Sequence, residues 1–231
     1  MVQKLKLISG RIPWSLVSRA AAFGAAWYLL PFSVFAVLAV LLYTIPWFGV
    51  RTFIWPFLTL LVLLFVFKQS VVLAVVAAFA FFCMLGVKDL IFLLRADRYE
   101  TLIALLVVLI AAALFRGSLS PLMLGALAGI SMFALLAGYF GYTEGSAPPP
   151  RDAVLAAGVS ALLLGAFAYA MSFAPLVPLA EMALFSAAGI VLAELGSAAA
   201  HGRVPRSSAL GALSAFFAVF VVTLTATTWG I

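Results

Sequence analysis

The feature that most constrains this fold is a series of long apolar runs, such as Phe53–Phe67, with charged residues almost entirely at their ends. Because the bilayer core contains no water, a backbone that spans it must satisfy its own hydrogen bonds, either in helices or in a closed barrel. Barrel strands alternate apolar and polar residues in segments of about ten residues, whereas these runs are continuously apolar. The pattern therefore predicts membrane-spanning helices.

The composition points the same way. Hydrophobic residues make up 67% of the chain and charged residues only 9%, whereas a soluble domain carries about 25% charged residues. We predict an all-α integral membrane protein of the cell membrane, in which residues 1–231 form one multi-pass transmembrane domain. The net charge of +6 comes from basic residues scattered at the ends of the runs. This pattern indicates topology signals rather than a nucleic-acid-binding surface.

The apolar runs and the turn residues between them predict about nine spans. Proline, glycine and charged residues mark their ends. Residues 143–151 include the consecutive prolines Pro148–Pro150, a stiff and extended sequence, and form a possible linker between two helical halves. The predicted spans are Ile12–Leu30, Phe32–Pro46, Phe53–Phe67, Ser70–Leu94, Arg98–Phe115, Pro121–Tyr142, Asp152–Ser172, Pro178–Ala200 and Ser207–Trp229.

The distribution of Lys and Arg distinguishes nine spans from the runner-up, eight. If Ile12–Leu30 does not span, the basic residues divide evenly between the two sides. If it does span, nine basic residues are cytoplasmic and only Lys68 and Arg116 lie outside, as the positive-inside rule expects. We therefore predict nine spans and a cytoplasmic N-terminus; whether residues 12–30 cross fully is the open point. The nine predicted cytoplasmic residues are Lys4, Lys6, Arg11, Arg51, Arg95, Arg98, Arg151, Arg203 and Arg206.

Four ionisable residues lie well inside the predicted spans: Arg19, Lys88, Asp89 and Glu194. Charge within a segment of hydrocarbon length is costly and indicates a function by default. At about 1.5 Å per residue, all four lie at similar depth, roughly 9 to 12 Å from the cytoplasmic ends of their helices. We predict an intramembrane polar cluster in which Arg19 and Lys88 each face a carboxylate. The alternative is that the two cations extend to the headgroups.

Residues suited to catalysis or metal binding are scarce. His201 is the only histidine and Cys83 the only cysteine, and neither a P-loop nor a nucleophile-elbow motif occurs. We therefore expect no enzymatic activity, no catalytic residues, no metal and no cofactor. Glu194, Ser197 and His201 share one helix face through their i, i+3, i+7 spacing, which suits either a proton path or separate structural roles.

Gly125 and Gly129 form a GxxxG pair within a predicted span. Small residues at this spacing let helix backbones approach closely. We predict that the two glycines pack against another helix of the same chain rather than at a dimer face. Gly129→Leu is accordingly expected to destabilise the fold.

Two functions remain open. The chain has no Asn, and its only Gln residues, Gln3 and Gln69, lie at span ends. Scarce interior polar residues and short loops favour a non-catalytic scaffold or accessory subunit of a membrane complex, with the lipid bilayer and other membrane proteins as partners. The intramembrane charges and proline-interrupted helices favour the alternative, a carrier or channel for a small solute or protons.

Overall fold

The computed structural model describes residues 14–45, 53–88, 95–116, 119–143, 151–174, 176–200 and 206–228. In these ranges every regular element is a helix, which confirms the all-helical prediction, and each of the nine helices begins within three residues of its predicted start. Four of them, α4, α6, α7 and α8, are long and apolar enough to cross a membrane. The helices are α1 (Trp14–Leu29), α2 (Phe32–Thr44), α3 (Ile54–Val66), α4 (Val71–Lys88), α5 (Arg95–Phe115), α6 (Pro121–Thr143), α7 (Arg151–Met171), α8 (Pro178–Ala200) and α9 (Arg206–Thr228).

The second helix is short, with 13 residues, and proline explains both of its ends. Pro31 precedes the first turn, where a missing backbone N–H costs nothing. Ile45 follows the last turn with extended backbone angles, φ −98° and ψ 116°. Since Pro46 comes next in the sequence, and proline pushes the residue before it out of the helical region, α2 has to end here.

Buried aromatic rings join the first four helices. Phe23 of α1 stacks on Phe81 of α4 with ring centroids 4.0 Å apart, and Tyr43 of α2 stacks on Phe57 of α3 at 4.2 Å. All four residues are at most 3% exposed. Such contacts fix the ring orientations as well as burying large apolar areas, so α1–α4 form one packed group.

The α3–α4 turn is anchored on both sides. The Gln69 side-chain amide donates hydrogen bonds to the carbonyl oxygens of Trp27 (2.7 Å) and Leu30 (3.2 Å) at the end of α1. Ser70 caps α4, because its hydroxyl oxygen accepts a hydrogen bond from the Leu73 N–H at 3.3 Å. These bonds hold the turn at one end of the bundle.

The remaining helices pack mainly on one another. Helix α5 packs against α8, α6 and α4, and α8 also packs against α7 and α9. Helix α9 is peripheral: most of its described side chains are exposed, and Phe216 reaches inward to the ring of Phe167, with centroids 6.2 Å apart. The predicted linker falls largely on residues 144–150, outside the described ranges, so it stays a prediction; the helices on either side of it, α6 and α7, pack together.

Candidate functional site

Lys88, the last residue of α4, is buried against the end of α2. Its side chain is 1% exposed, Nζ donates a hydrogen bond to the Tyr43 carbonyl oxygen, and Nζ also lies 5.0 Å from the centroid of the Tyr43 ring. The last carbonyls of a helix lack intrahelical partners and carry partial negative charge. An aromatic ring face is also negative. The ammonium group of Lys88 therefore stabilises the C-terminal end of α2.

Arg19 of α1 reaches the same place from another helix. Its Nη1 donates a hydrogen bond to the Ile45 carbonyl oxygen at 2.8 Å, and its side chain is half-buried. The two cations predicted to lie within the membrane, Arg19 and Lys88, thus bind the carbonyls of Ile45 and Tyr43, which are two residues apart in the chain. They draw α1 and α4 onto the end of α2, and we call Arg19, Lys88 and these two carbonyls the α2 clamp.

Glu194 lies in a different place, a cavity of about 140 Å³ between α5, α6 and α8. The Tyr139 hydroxyl donates a hydrogen bond to Glu100 Oε1 at 3.4 Å. We call this the carboxylate cavity; among the residues that the structure describes, its lining contains no basic side chain. The lining residues are Glu100, Ile103, Ala104, Tyr139, Ile190, Ala193 and Glu194.

The two groups lie at the same end of the bundle. The ring of Tyr99, at 0% exposure, is 5.2 Å from the ring of Phe53, just before α3, and 5.2 Å from that of Tyr139. The rings of Phe53, Tyr99 and Tyr139 therefore form a row that connects the start of α3, near the α2 clamp, to the carboxylate cavity.

The predicted polar cluster is thus distributed over two positions. Arg19 and Lys88 meet at α2, while Glu194 lies beside Glu100. Asp89 and His201 lie outside the described residues. The hypothesis that each cation faces a carboxylate therefore stays a prediction, as does the proton path through His201.

Sequence reasoning did not single out Glu100 or Tyr139. Glu100 stands near a helix start, where acidic residues are common because they favour the positive end of the helix dipole. The distance of each residue from its helix end could have identified Glu100. It is the sixth residue of α5, and Glu194 lies six positions before the last residue of α8, so both are expected at similar depth. Within the described part of the chain, no three His, Cys, Asp or Glu side chains are grouped to hold a metal ion.

Gly125 and Gly129 face α7, and the two positions differ in clearance. A Cβ added to Gly125 would lie 2.9 Å from the Gly165 carbonyl oxygen, and one added to Gly165 would lie 2.8 Å from that of Gly125. A Cβ at Gly129 would lie 3.5 Å from the Ala161 carbonyl oxygen, an ordinary contact. The α6 and α7 backbones therefore touch at Gly125 and Gly165.

Neither a known protein family, nor a curated protein, nor a solved structure matches this chain. Its function therefore has to be argued from its own geometry.

Proposed function

We propose that this chain is a multi-pass protein of the cell membrane with nine spans and with the N-terminus in the cytoplasm. The support is an apolar outer surface: Leu122, Leu162 and Leu179 are 75%, 73% and 77% exposed. Soluble monomers rarely expose contiguous apolar patches beyond a few hundred Å². Hydrocarbon is the solvent that such a surface suits.

The α2 clamp fits this environment. At about 1.5 Å per residue, the 13 residues of α2 extend for roughly 20 Å, less than the roughly 30 Å hydrocarbon thickness. Carbonyls at the end of so short a helix would lie within the membrane, where an unsatisfied polar group costs several kcal/mol. Lys88 and Arg19 donate hydrogen bonds to two of these carbonyls, which gives a physical reason for cations at that depth.

The topology is tested by reporters fused to Ile231. Nine spans with a cytoplasmic N-terminus place Ile231 outside, so we expect activity from a reporter that works only outside the cytoplasm, and none from one that works only within it. Fusion after Arg151, predicted to be cytoplasmic, is the matched control and should give the reverse. A cytoplasmic signal at Ile231 contradicts nine spans and favours eight.

We propose further that the protein acts as a non-catalytic scaffold or accessory subunit of a membrane complex. The observation that carries this proposal is the contact of Lys88, whose ammonium group binds the end of a helix rather than facing a passage. Apart from tyrosines, the other buried polar side chains among the described residues are Ser160 and Ser186, and the Ser186 hydroxyl donates to the Met182 carbonyl oxygen of its own helix. A carrier needs polar groups that converge on a path, whereas the contacts of Lys88 and Ser186 serve helix backbones.

One observation favours a second candidate, a carrier coupled to protons or another cation. The carboxylate cavity is lined by Glu100, Glu194 and Tyr139; the Tyr139 hydroxyl donates to Glu100, and both glutamates are exposed. Ionisable residues within transmembrane segments commonly mark ion pathways. The cavity is therefore the place to test transport.

Flux and native assembly together discriminate between the two functions. In proteoliposomes we expect proton flux no greater than in protein-free vesicles, both for the wild type and for Glu194→Gln. From native membranes in mild detergent, we expect the chain in a complex of fixed stoichiometry with the same partners in each preparation, compared with an unrelated multi-pass protein as bait. Flux that Glu194→Gln abolishes and Glu181→Gln, on the same helix outside the cavity, retains would overturn the scaffold and establish the carrier.

A further inference from the structure

The two cations that the positive-inside count leaves outside, Lys68 and Arg116, lie in one cavity. It has a volume of about 300 Å³ and lies where α3 and α5 end, between two helices that pack together. Its other lining residues are Val66, Phe67 and Ala113. We call it the Lys68–Arg116 cleft.

The described lining of the cleft holds two positive charges and no acidic residue. Among the described residues, neither Lys68 nor Arg116 donates a hydrogen bond or forms an ion pair. Both side chains are exposed, and like charges that share one cleft repel. An anion between them would remove that cost.

The backbone that carries Lys68 is held in place. On one side Phe67 is only 8% exposed and its N–H donates to the Leu63 carbonyl oxygen at 3.0 Å. On the other side Gln69 is bonded to the end of α1. A binding group on an anchored segment loses less conformational entropy when its ligand binds.

The chemistry of the lining selects the kind of anion. An Arg guanidinium forms two parallel hydrogen bonds to a phosphate, and a Lys ammonium adds a compact point charge. The apolar residues Val66, Phe67 and Ala113 make the rest of the wall, which suits an acyl or glycerol portion rather than a fully hydrated ion. A phospholipid headgroup combines both parts and is present at the ends of transmembrane helices.

The geometry points to the Lys68–Arg116 cleft as a binding site for the phosphate of an anionic phospholipid, in the leaflet opposite the basic loops. The site rests on the proposed function because only a bilayer supplies the headgroup at this depth. Bound there, the lipid bridges the α3–α4 turn and the end of α5, and so ties the two groups of helices together at that surface.

The test measures thermal unfolding of the purified full-length protein in a neutral detergent with added phosphatidylglycerol, phosphatidylcholine or inorganic phosphate. We expect phosphatidylglycerol alone to raise the unfolding temperature of the wild type. Lys68→Gln/Arg116→Gln should bind it about thirtyfold more weakly, from the loss of two interfacial cations. The charge-retaining Lys68→Arg/Arg116→Lys and the distant Arg151→Gln should respond like the wild type.

Each outcome decides the proposal. An equal response of the wild type to phosphatidylcholine, or a full response to inorganic phosphate, overturns it. So does a double Gln variant that is less stable yet responds fully to phosphatidylglycerol, since the cations then serve only the helix ends. If the double variant does not fold, Arg116→Gln and the wild-type lipid preference carry the test. Membrane integration and reporter topology, measured separately, show whether the proposed function has failed instead.

Discussion

Gly125→Leu is expected to lower the stability of the protein more than Gly129→Leu on the same helix. An added Cβ would already lie 2.9 Å from the Gly165 carbonyl oxygen, and backbone cannot move aside as a side chain can. A leucine must therefore push α7 away from α6, and overpacking of this kind costs about 3 kcal/mol or more. Thermal unfolding in detergent and the folded fraction recovered by size exclusion measure the effect.

Alanine at two positions on the same helix gives the matched comparison. Gly125→Ala should destabilise by about 1–2 kcal/mol. Gly129→Ala should be neutral or slightly stabilising, because its Cβ has a 3.5 Å clearance and alanine favours helix over glycine. Equal stability of the two alanine variants would show that α6 and α7 are not in backbone contact.

The same pair shows what sequence can and cannot provide. The GxxxG spacing identifies Gly125 and Gly129 as residues that permit close approach. It cannot identify the partner, because Gly165 lies on a separate helix and only the relative position of α6 and α7 places it opposite Gly125. For the same reason the pattern does not rank the two glycines, and the tighter contact is at Gly125.

The charged residues within the predicted spans show a second limit of prediction from sequence. Counting residues from helix ends places Arg19 and Lys88 at similar depth, and the structure has them on carbonyls two residues apart in the chain. Sequence reasoning looked for carboxylates, because only side chains differ between positions. A backbone carbonyl occurs at every residue, so the sequence does not distinguish those of Tyr43 and Ile45. They become acceptors because α2 ends early, and the feature of the sequence that indicates this end is Pro46.

The cleft at the opposite end follows the same logic. The positive-inside count separates Lys68 and Arg116 from the other basic residues, but they are 48 positions apart in the chain. Their proximity requires α3 and α5 to run parallel and pack together. Helix bounds are therefore predictable from local patterns, whereas the pairing of helices depends on packing that no single segment encodes.

The second large effect is expected at Lys88. Lys88→Glu replaces the ammonium with a carboxylate in a position that is 1% exposed. The new negative charge would face the Tyr43 carbonyl oxygen and the face of the Tyr43 ring, both of which carry partial negative charge. A buried charge without compensation costs about 3–5 kcal/mol, so the variant should be recovered mostly unfolded or degraded. Arg151→Glu, a reversal at an exposed helix start, should stay within about 0.5 kcal/mol of the wild type.

Lys88→Met separates the charge from the packing, because methionine retains an apolar stem and removes only the ammonium. The Tyr43 carbonyl then loses the hydrogen bond from Nζ, and the loss of such a bond in a buried position costs about 1–3 kcal/mol. Arg19→Met should cost less, since Arg19 is only half-buried and water can replace its hydrogen bond.

Hydrogen exchange locates the effect: the Ile45 amide, which donates to the Leu41 carbonyl oxygen at 3.2 Å, should exchange faster in Lys88→Met while amides in α7 stay unchanged. If Lys88→Met matches the wild type in both stability and exchange at Ile45, the ammonium does not hold the end of α2, and the cation at that depth needs another explanation.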